Sequence, residues 1–177
     1  MEINFKANLV SKTTVMQRNW LMSKYDPKEV SFVKLNLQSP EEFLVLKKLK
    51  NLWPSTYVSD ILRESASNKD LVSVYALTKQ KDCFEKLNPE KVLGLAEITN
   101  GKDEICLEYL QTNPEYKYED PSIIRNIKGI GTAMLNSLKN LDWIKLINVN
   151  SLFSTIPFYE ENGFVLGNEK NYLTWKK

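Results

Sequence analysis

Two glycines, Gly129 and Gly131, stand one residue apart at the start of a helix-like segment, in the stretch KGIGTAML. Glycine is unfavourable inside a helix, so the pair requires a reason. One reason is phosphate binding, because the first turn of a helix has unpaired N–H groups and partial positive charge that glycines leave accessible. The other reason is that glycines merely permit the chain to begin the helix. The segment alone leaves both interpretations open.

Two common nucleotide-binding motifs do not fit this stretch. The P-loop pattern GxxxxGK[ST] is absent from the sequence. The dinucleotide-binding pattern requires a third glycine three residues after the second, and Met134 occupies that position. A phosphate bound here would therefore be held by a different kind of loop.

The sequence has no histidine, and its two cysteines, Cys83 and Cys106, are far apart. The absence of histidine excludes Ser/His/Asp and Cys/His triads and histidine zinc sites. Two isolated cysteines predict neither a disulfide framework nor a metal site. Acid–base chemistry must therefore use carboxylates, tyrosine, lysine, cysteine or water.

The composition is that of an ordinary globular protein, with 42% hydrophobic and 26% charged residues. The 177 residues are enough for one domain that covers 1–177. A net charge of +2 lacks the excess typical of nucleic-acid binders. No apolar run approaches the roughly 20 residues of a membrane span, and the N-terminus lacks signal-peptide features. We therefore expect a cytoplasmic protein with neither nucleic-acid nor membrane partners.

Hydrophobic periodicity predicts an α+β fold with a mostly antiparallel sheet and helices on its faces. The first 29 residues are an extension of uncertain structure, although 10–20 can form an edge strand or hairpin, and Asp26-Pro27 is typical of a turn. Asn100-Gly101 predicts a type I′ hairpin turn. The predicted strands are 30–37, 71–78, 91–99, 104–112, 143–150, 164–166 and 172–175. The predicted helices begin after Ser39, span 57–67, run from the glycine pair to about 140, and cover 154–162.

A second motif, FYEENGF at Phe158–Phe164, follows the glycine pair. Together the two resemble the GNAT superfamily of acyl-CoA-dependent N-acyltransferases. That family has Gln or Arg, two residues, Gly, one residue, then Gly or Ala at a helix start, and later aromatic-Tyr-x-x-x-Gly-Phe. The resemblance covers about 30–164 and implies a GNAT-like, twisted central sheet. In two departures, Asn126 takes the Gln/Arg position beside Arg125, and the loop 114–128 is longer than usual.

The resemblance implies direct transfer of an acetyl group from acetyl-CoA to a primary amine in a ternary complex. In such a site, N–H groups after Gly129 would hold the pyrophosphate, and the strand end at LQTNPEY would pair with the pantetheine arm. The cofactor-binding residues implied are Leu110, Gln111, Thr112, Ile127, Lys128, Gly129, Ile130, Gly131, Thr132, Ala133 and Asn150. An alternative is a non-catalytic module that binds acyl-CoA as a sensor or partner subunit.

The resemblance assigns Tyr159 as the general acid, because a phenol is protonated at neutral pH and can protonate a leaving thiolate. The alternative role of Tyr159 is core packing. Strand alternation places Glu104, Cys106, Glu108 and Thr112 on one face, provided that no bulge intervenes. Glu108 is the favoured base, Glu104 the second candidate and Glu97 the third, and water alone is a further alternative.

The acceptor is left open by the sequence. Polyamines, aminoglycosides, amino acids, protein N-termini and lysines all fit the reaction. Trp53 and Tyr57 are expected to line the acceptor pocket, because the region of the first two helices shapes that pocket in the family. The resemblance also implies a monomer or a homodimer.

Overall fold

The computed structural model describes residues 7–54, 56–116 and 125–177. The helices are α1 (Pro40–Leu52), α2 (Val58–Ser67), α3 (Ile130–Lys139) and α4 (Ile156–Glu161). The strands are β1 (Asn8–Asn19), β2 (Lys24–Lys34), β3 (Val72–Thr78), β4 (Val92–Asn100), β5 (Glu104–Thr112), β6 (Ile127–Lys128), β7 (Leu146–Asn150), β8 (Val165–Leu166) and β9 (Tyr172–Lys176). Within these ranges, no helix has the length and apolarity to cross a membrane.

The described strands form one sheet in the order β6-β1-β2-β3-β4-β5-β7-β9-β8. Neighbouring strands in this part of the chain are antiparallel except for β5 and β7, which are parallel. The predicted α+β fold, with a mostly antiparallel sheet flanked by helices, is therefore confirmed.

Each face of the sheet has its own hydrophobic core. Met134 and Leu135 of α3 pack with Ile105 and Leu107 of β5 on one face. The other core contains Leu46 and Leu49 of α1, Ile61 of α2 and Leu95 of β4. Every residue of β3 is buried, as expected for a strand covered on both faces.

The first two strands form a long hairpin that extends the sheet. Val15 of β1 is 1% exposed and belongs to the same core as α3. On its outer side β1 pairs with β6, where Met16 faces Lys128 and Gln17 faces Ile127. The N-terminal hairpin therefore supports the segment that leads directly into the glycine pair.

One predicted turn is wrong, and a second is present but is not of the predicted type. Asp26 and Pro27 lie inside β2, in a part of the strand that pairs with β1 before the pairing with β3 begins, and a proline is tolerated there. The chain instead reverses over 20–23. Between β4 and β5, Gly101 lacks the positive φ that a type I′ turn needs, and the loop has three residues, 101–103.

A β-bulge interrupts β5 at Glu108. Glu97 of β4 pairs with Tyr109, but the next residue, Ile98, pairs with Leu107, so Glu108 is the extra residue. The alternation of faces therefore changes at this point. Leu107 and Leu110 pack on the α3 face, whereas Tyr109 packs against the core under α1 and α2.

The bulge is followed by a separation of β5 from β7. The parallel pairing runs from Glu104 and Leu146 to Leu107 and Val149. Beyond that point β5 continues to Thr112, whereas β7 ends at Asn150. The last residues of β5 therefore present a strand edge beside a gap in the sheet.

Replacing Val15 with Ala should lower the free energy of unfolding by about 2 kcal/mol, because the deletion leaves a cavity in the α3-side core. Leu9→Ala is the control, since Leu9 lies on the same strand but is 45% exposed; it should change stability by less than about 0.5 kcal/mol. Urea denaturation measures both values. Equal, small effects would show that the hairpin is not part of the cooperatively folded sheet.

Candidate functional site

A cavity of about 400 Å³ lies on the α3 side of the sheet, beside the free end of β5. Most of the residues assigned to the cofactor by sequence line it. These are Leu110, Thr112, Ile127, Lys128, Gly129, Ile130, Gly131 and Thr132, together with Tyr159. Tyr116, Arg125, Thr155 and Phe158 also line it among the described residues. Of these, the sequence drew attention to Arg125, beside the Gln/Arg position, and to Phe158, in the second motif, but it assigned neither of them a cofactor contact.

Gly129 occupies the N-cap position of α3 with a left-handed backbone, φ 77° and ψ 16°. Glycine adopts this conformation without steric cost. A side chain here would meet no atom within 4 Å, so the space in front of the helix is open. The first intrahelical hydrogen bond runs from the N–H of Ala133 to the carbonyl of Gly129, at 2.9 Å. The three preceding N–H groups belong to the turn that has no intrahelical acceptors.

Gly131 is required for a different reason. A Cβ atom at this position would lie 2.9 Å from the Phe158 ring, which is closer than van der Waals contact allows. The missing side chain lets Phe158 of α4 pack directly against the first turn of α3. The two glycines therefore have different roles: Gly129 adopts a positive φ and leaves the helix start open, and Gly131 allows the close approach of Phe158.

Basic side chains gather around Tyr25 of the N-terminal hairpin. The Lys128 ammonium lies 4.2 Å from the Tyr25 ring centroid, and the Arg18 guanidinium lies 5.4 Å from it. The Tyr25 hydroxyl donates a 2.7 Å hydrogen bond to the carbonyl of Arg125. Because Arg125 and Lys128 also line the cavity, its helix end combines positive side chains with the positive helix terminus. No sequence signal identifies Arg18 or Tyr25, since their position depends on the pairing of β1 with β6.

Tyr159 of α4 also lines the cavity and is 7% exposed. It makes edge-on contacts with Phe158 and Phe164, with ring centroids 5.1 Å and 5.4 Å away. Gly163, at φ 77°, turns the chain after the helix so that the Phe164 N–H donates to the Tyr159 carbonyl. Burial raises the pKa of Tyr159 to about 12, so the hydroxyl stays protonated at neutral pH.

Three residues assigned by sequence do not face this cavity. The Gln111 side chain lies on the opposite face, where its Oε1 accepts from the Tyr57 N–H at 3.4 Å. Ala133 is buried in the core, and its N–H is used within α3. Asn150 is exposed at the end of β7, where it pairs with Tyr172.

A second cavity, of about 370 Å³, lies on the opposite face between α2 and strands β3, β4 and β5. We call it the acidic cavity, because Glu64, Glu97 and Glu108 line it. Glu108 and Thr112 were expected to share a face only if β5 had no bulge; the bulge shifts the alternation, so Thr112 lines the first cavity instead. Glu104 lies at the other end of β5, away from both the bulge and the gap.

Glu97 is fully buried within the wall of the acidic cavity. The Ser65 hydroxyl donates to its Oε2 at 3.1 Å, while its Oε1 has no hydrogen-bond partner among the described residues. Burial raises the pKa of Glu97 to about 7, and the nearby carboxylates of Glu64, Glu108 and Asp60 act in the same direction. Glu108 is exposed and accepts a 2.8 Å hydrogen bond from Thr99.

The residues expected at an acceptor pocket divide between core and surface. Trp53 is 3% exposed and packs in the core under α1 and α2, so it lines neither cavity. Tyr57 is 42% exposed and lies against Tyr109, with ring centroids 5.4 Å apart. Burial and the neighbouring Glu108 raise the pKa of the Cys106 thiol to about 11, which disfavours a thiolate nucleophile.

No protein-family model matches the chain, and no curated protein sequence does so. Solved structures do resemble it. YhhK from E. coli, bound to coenzyme A, superimposes with a TM-score of 0.55 at 15% identity, over 85% of this chain and 100% of YhhK. Tetrahymena GCN5 superimposes with a TM-score of 0.54 at 12% identity, over 78% of this chain and 90% of GCN5. A Desulfovibrio desulfuricans protein assigned to the GNAT family of acetyltransferases gives 0.53 at 13% identity, over 83% and 98%.

Glu97→Gln should stabilise the protein at alkaline pH but change its stability little at acidic pH. A carboxyl group with a raised folded-state pKa contributes stability below its unfolded pKa, and this contribution is lost as the pH rises through about 7. Relative to the wild type, the free energy of unfolding of Glu97→Gln should be higher at about pH 8 than at about pH 5, by an amount on the order of 2 kcal/mol. Thermal unfolding at both pH values measures the difference between variant and wild type.

The exposed Glu90→Gln is the control, and it should follow the wild type at both pH values. Because burial also raises the pKa of Glu42 to about 7, only the difference from the wild type is informative. A pH-independent effect of Glu97→Gln would show that Glu97 is ionised in the folded protein throughout this range.

Proposed function

We propose that this chain, which has the fold of the GNAT acetyltransferases, is an N-acetyltransferase that moves an acetyl group from acetyl-CoA to a primary amine. The observation that supports this most strongly is the first cavity. It is lined by the open, glycine-bearing start of α3, by the free end of β5 and by Tyr159 of α4. The coenzyme A bound to YhhK gives further support.

In this proposal, the pyrophosphate of acetyl-CoA lies at the start of α3. The N–H groups of Ile130, Gly131 and Thr132 are the donors that the helix itself does not use. Arg125 and Lys128, which line the same end of the cavity, add positive charge. Because these contacts use main chain and flexible side chains, an asparagine at position 126 is compatible with them.

The pantetheine arm pairs with the edge of β5 where β5 has left β7. Leu110, Gln111 and Thr112 supply backbone groups there, in the manner of an added strand. The side chain of Gln111 points to the other face, so it contributes only main chain. A backbone N–H near Leu110 polarises the thioester carbonyl. Asn150 ends β7 across the gap but does not line the cavity, so it is given no contact with the cofactor in this proposal.

The amine nitrogen attacks the thioester carbonyl carbon, a C–N bond forms and the C–S bond breaks. The departing thiolate takes its proton from the Tyr159 hydroxyl, and a carboxylate accepts the proton lost by the amine. Glu108 lies at the bulge and is one candidate base. Glu97 lines the acidic cavity together with Glu108, and its pKa of about 7 suits a base at neutral pH. The geometry is less favourable for Glu104, at the far end of β5.

Binding of acetyl-CoA should depend on the charge placed at Gly129. We compare Gly129→Asn with Gly129→Asp, because both side chains tolerate the left-handed backbone and have the same shape. Only Asp puts a negative charge beside the pyrophosphate. Calorimetry should show that the wild type binds acetyl-CoA with micromolar-range affinity, which corresponds to a binding free energy of about 8 kcal/mol. Gly129→Asp should bind acetyl-CoA at least about tenfold more weakly than Gly129→Asn.

Failure of the wild type to bind acetyl-CoA would overturn the proposed function together with all its site assignments. Equal binding by the two variants would place the pyrophosphate elsewhere than the start of α3. Binding without turnover on any amine would identify a module that binds acyl-CoA and transfers nothing.

Tyr159→Phe should lower kcat by about 100-fold while leaving the acetyl-CoA Kd unchanged, because it removes only the proton donor. Thiol release with an accepted amine measures kcat, and calorimetry measures Kd. Tyr172→Phe is the control, since Tyr172 lies on β9 outside the cavity wall. An unchanged kcat for Tyr159→Phe would show that the Tyr159 hydroxyl is not the proton donor and that the residue only packs.

A further inference from the structure

The acidic cavity has a chemical character that the transfer reaction alone does not require. Carboxylates from three elements line it: Glu64 from α2, Glu97 from β4 and Glu108 from β5. Asp60 of α2 adds to the negative potential at Glu97. No lysine or arginine belongs to the described lining. Such a concentration of negative charge attracts cations and repels anionic substrates.

The buried carboxylate of Glu97 points to a ligand. Its Oε1 lacks a hydrogen-bond partner in the described part of the chain, although the residue is fully buried and lines the cavity. A buried polar atom without a partner is costly, so native structures rarely leave one unless a bound group satisfies it. An ammonium group is a donor that suits this acceptor, because hydrogen bonds between charged groups are the strongest.

We propose that the acidic cavity binds the acceptor, and that the acceptor is a small aliphatic amine carrying at least two positive charges. This inference rests on the proposed function, of which it names the substrate class. One ammonium group lies at Glu97, near the bulge, and the second is neutralised by the other carboxylates of the cavity.

The rest of the wall fits the hydrocarbon part of such a molecule. Leu71, Val72 and Tyr109 supply apolar surface between the carboxylates. Methylene groups of an aliphatic diamine gain from contact with this surface, whereas a strongly polar scaffold such as a sugar does not. The cavity of about 370 Å³ is large enough for a short linear amine.

The position of the cavity brings the acceptor to the acetyl donor. Strand β5 is the wall between the two cavities, with Glu108 and Tyr109 on the acidic side and Leu110 and Thr112 on the other. Beyond Leu107 this wall has a free edge, because the pairing with β7 ends there. An amine in the acidic cavity and a thioester along β5 therefore meet at that edge.

Among the described residues, Arg63 is a positively charged side chain that competes with the acceptor for these carboxylates. It forms ion pairs with Asp60 at 3.0 Å and with Glu64 at 3.4 Å, and its side chain is 65% exposed. It does not line the cavity. Exposed ion pairs of this kind are weak, so Arg63 neutralises Glu64 only in part and leaves Glu97 and Glu108 available.

The test compares 1,4-diaminobutane with n-pentylamine, which have the same number of heavy atoms and differ by one terminal ammonium group. Thiol release from acetyl-CoA gives kcat/KM for each amine, with EDTA present to remove divalent cations. The wild type should prefer the diamine by at least about tenfold. Glu64→Gln should raise the diamine KM with little change in kcat, and Glu97→Gln should abolish the preference. Glu90→Gln, an exposed substitution elsewhere, should retain it.

The outcomes separate this inference from the proposed function. Acetylation of both amines with equal kcat/KM would overturn the diamine inference and leave the acetyltransferase intact. If acetyl-CoA does not bind, calorimetry of the two amines against the protein alone still tests the cavity. Diamine binding that is weakened in Glu97→Gln would then support a cation site, and no binding would overturn it.

Discussion

The bulge in β5 is the constraint on which the two cavities depend. One extra residue, Glu108, lets Leu107 and Leu110 face α3 while Tyr109 faces α2. It occurs where the strand parts from β7, so the chain changes phase at the point where its edge becomes free. Without the extra residue, the end of β5 would present its other side to each cavity, because a strand alternates with period two.

The start of α3 depends on contacts from two distant parts of the chain. The N-terminal hairpin pairs with β6 and places Tyr25 and Arg18 beside the helix start, and α4 packs Phe158 against it through the space that Gly131 leaves. A single-turn loop with two glycines would be flexible by itself. The surrounding strands and ring hold it in one conformation, which is the preorganisation that anion binding requires.

Burial raises the pKa of one ionisable side chain in the wall of each cavity. Desolvation raises the pKa of Tyr159 to about 12, which preserves its proton at neutral pH. The same effect raises the pKa of Glu97 to about 7, which brings the carboxyl group close to its titration point at neutral pH. At neutral pH burial therefore changes little for the phenol, which is protonated at its ordinary pKa as well, but it brings the carboxyl group on the other face into the range of a general base.

The sequence by itself determined the α+β class, the helix that begins at the glycine pair, and the short helix that carries Tyr159 and ends before Gly163. These features are local, since backbone conformation and hydrophobic period act over a few residues. Only the tertiary structure decided that Gln111 and Glu108 face away from the first cavity, that Arg18 and Tyr25 approach α3, and that Glu97 is buried without a full set of partners. Those facts follow from strand register, a bulge and burial, which arise from pairing between residues far apart in the chain and leave no trace in local residue patterns.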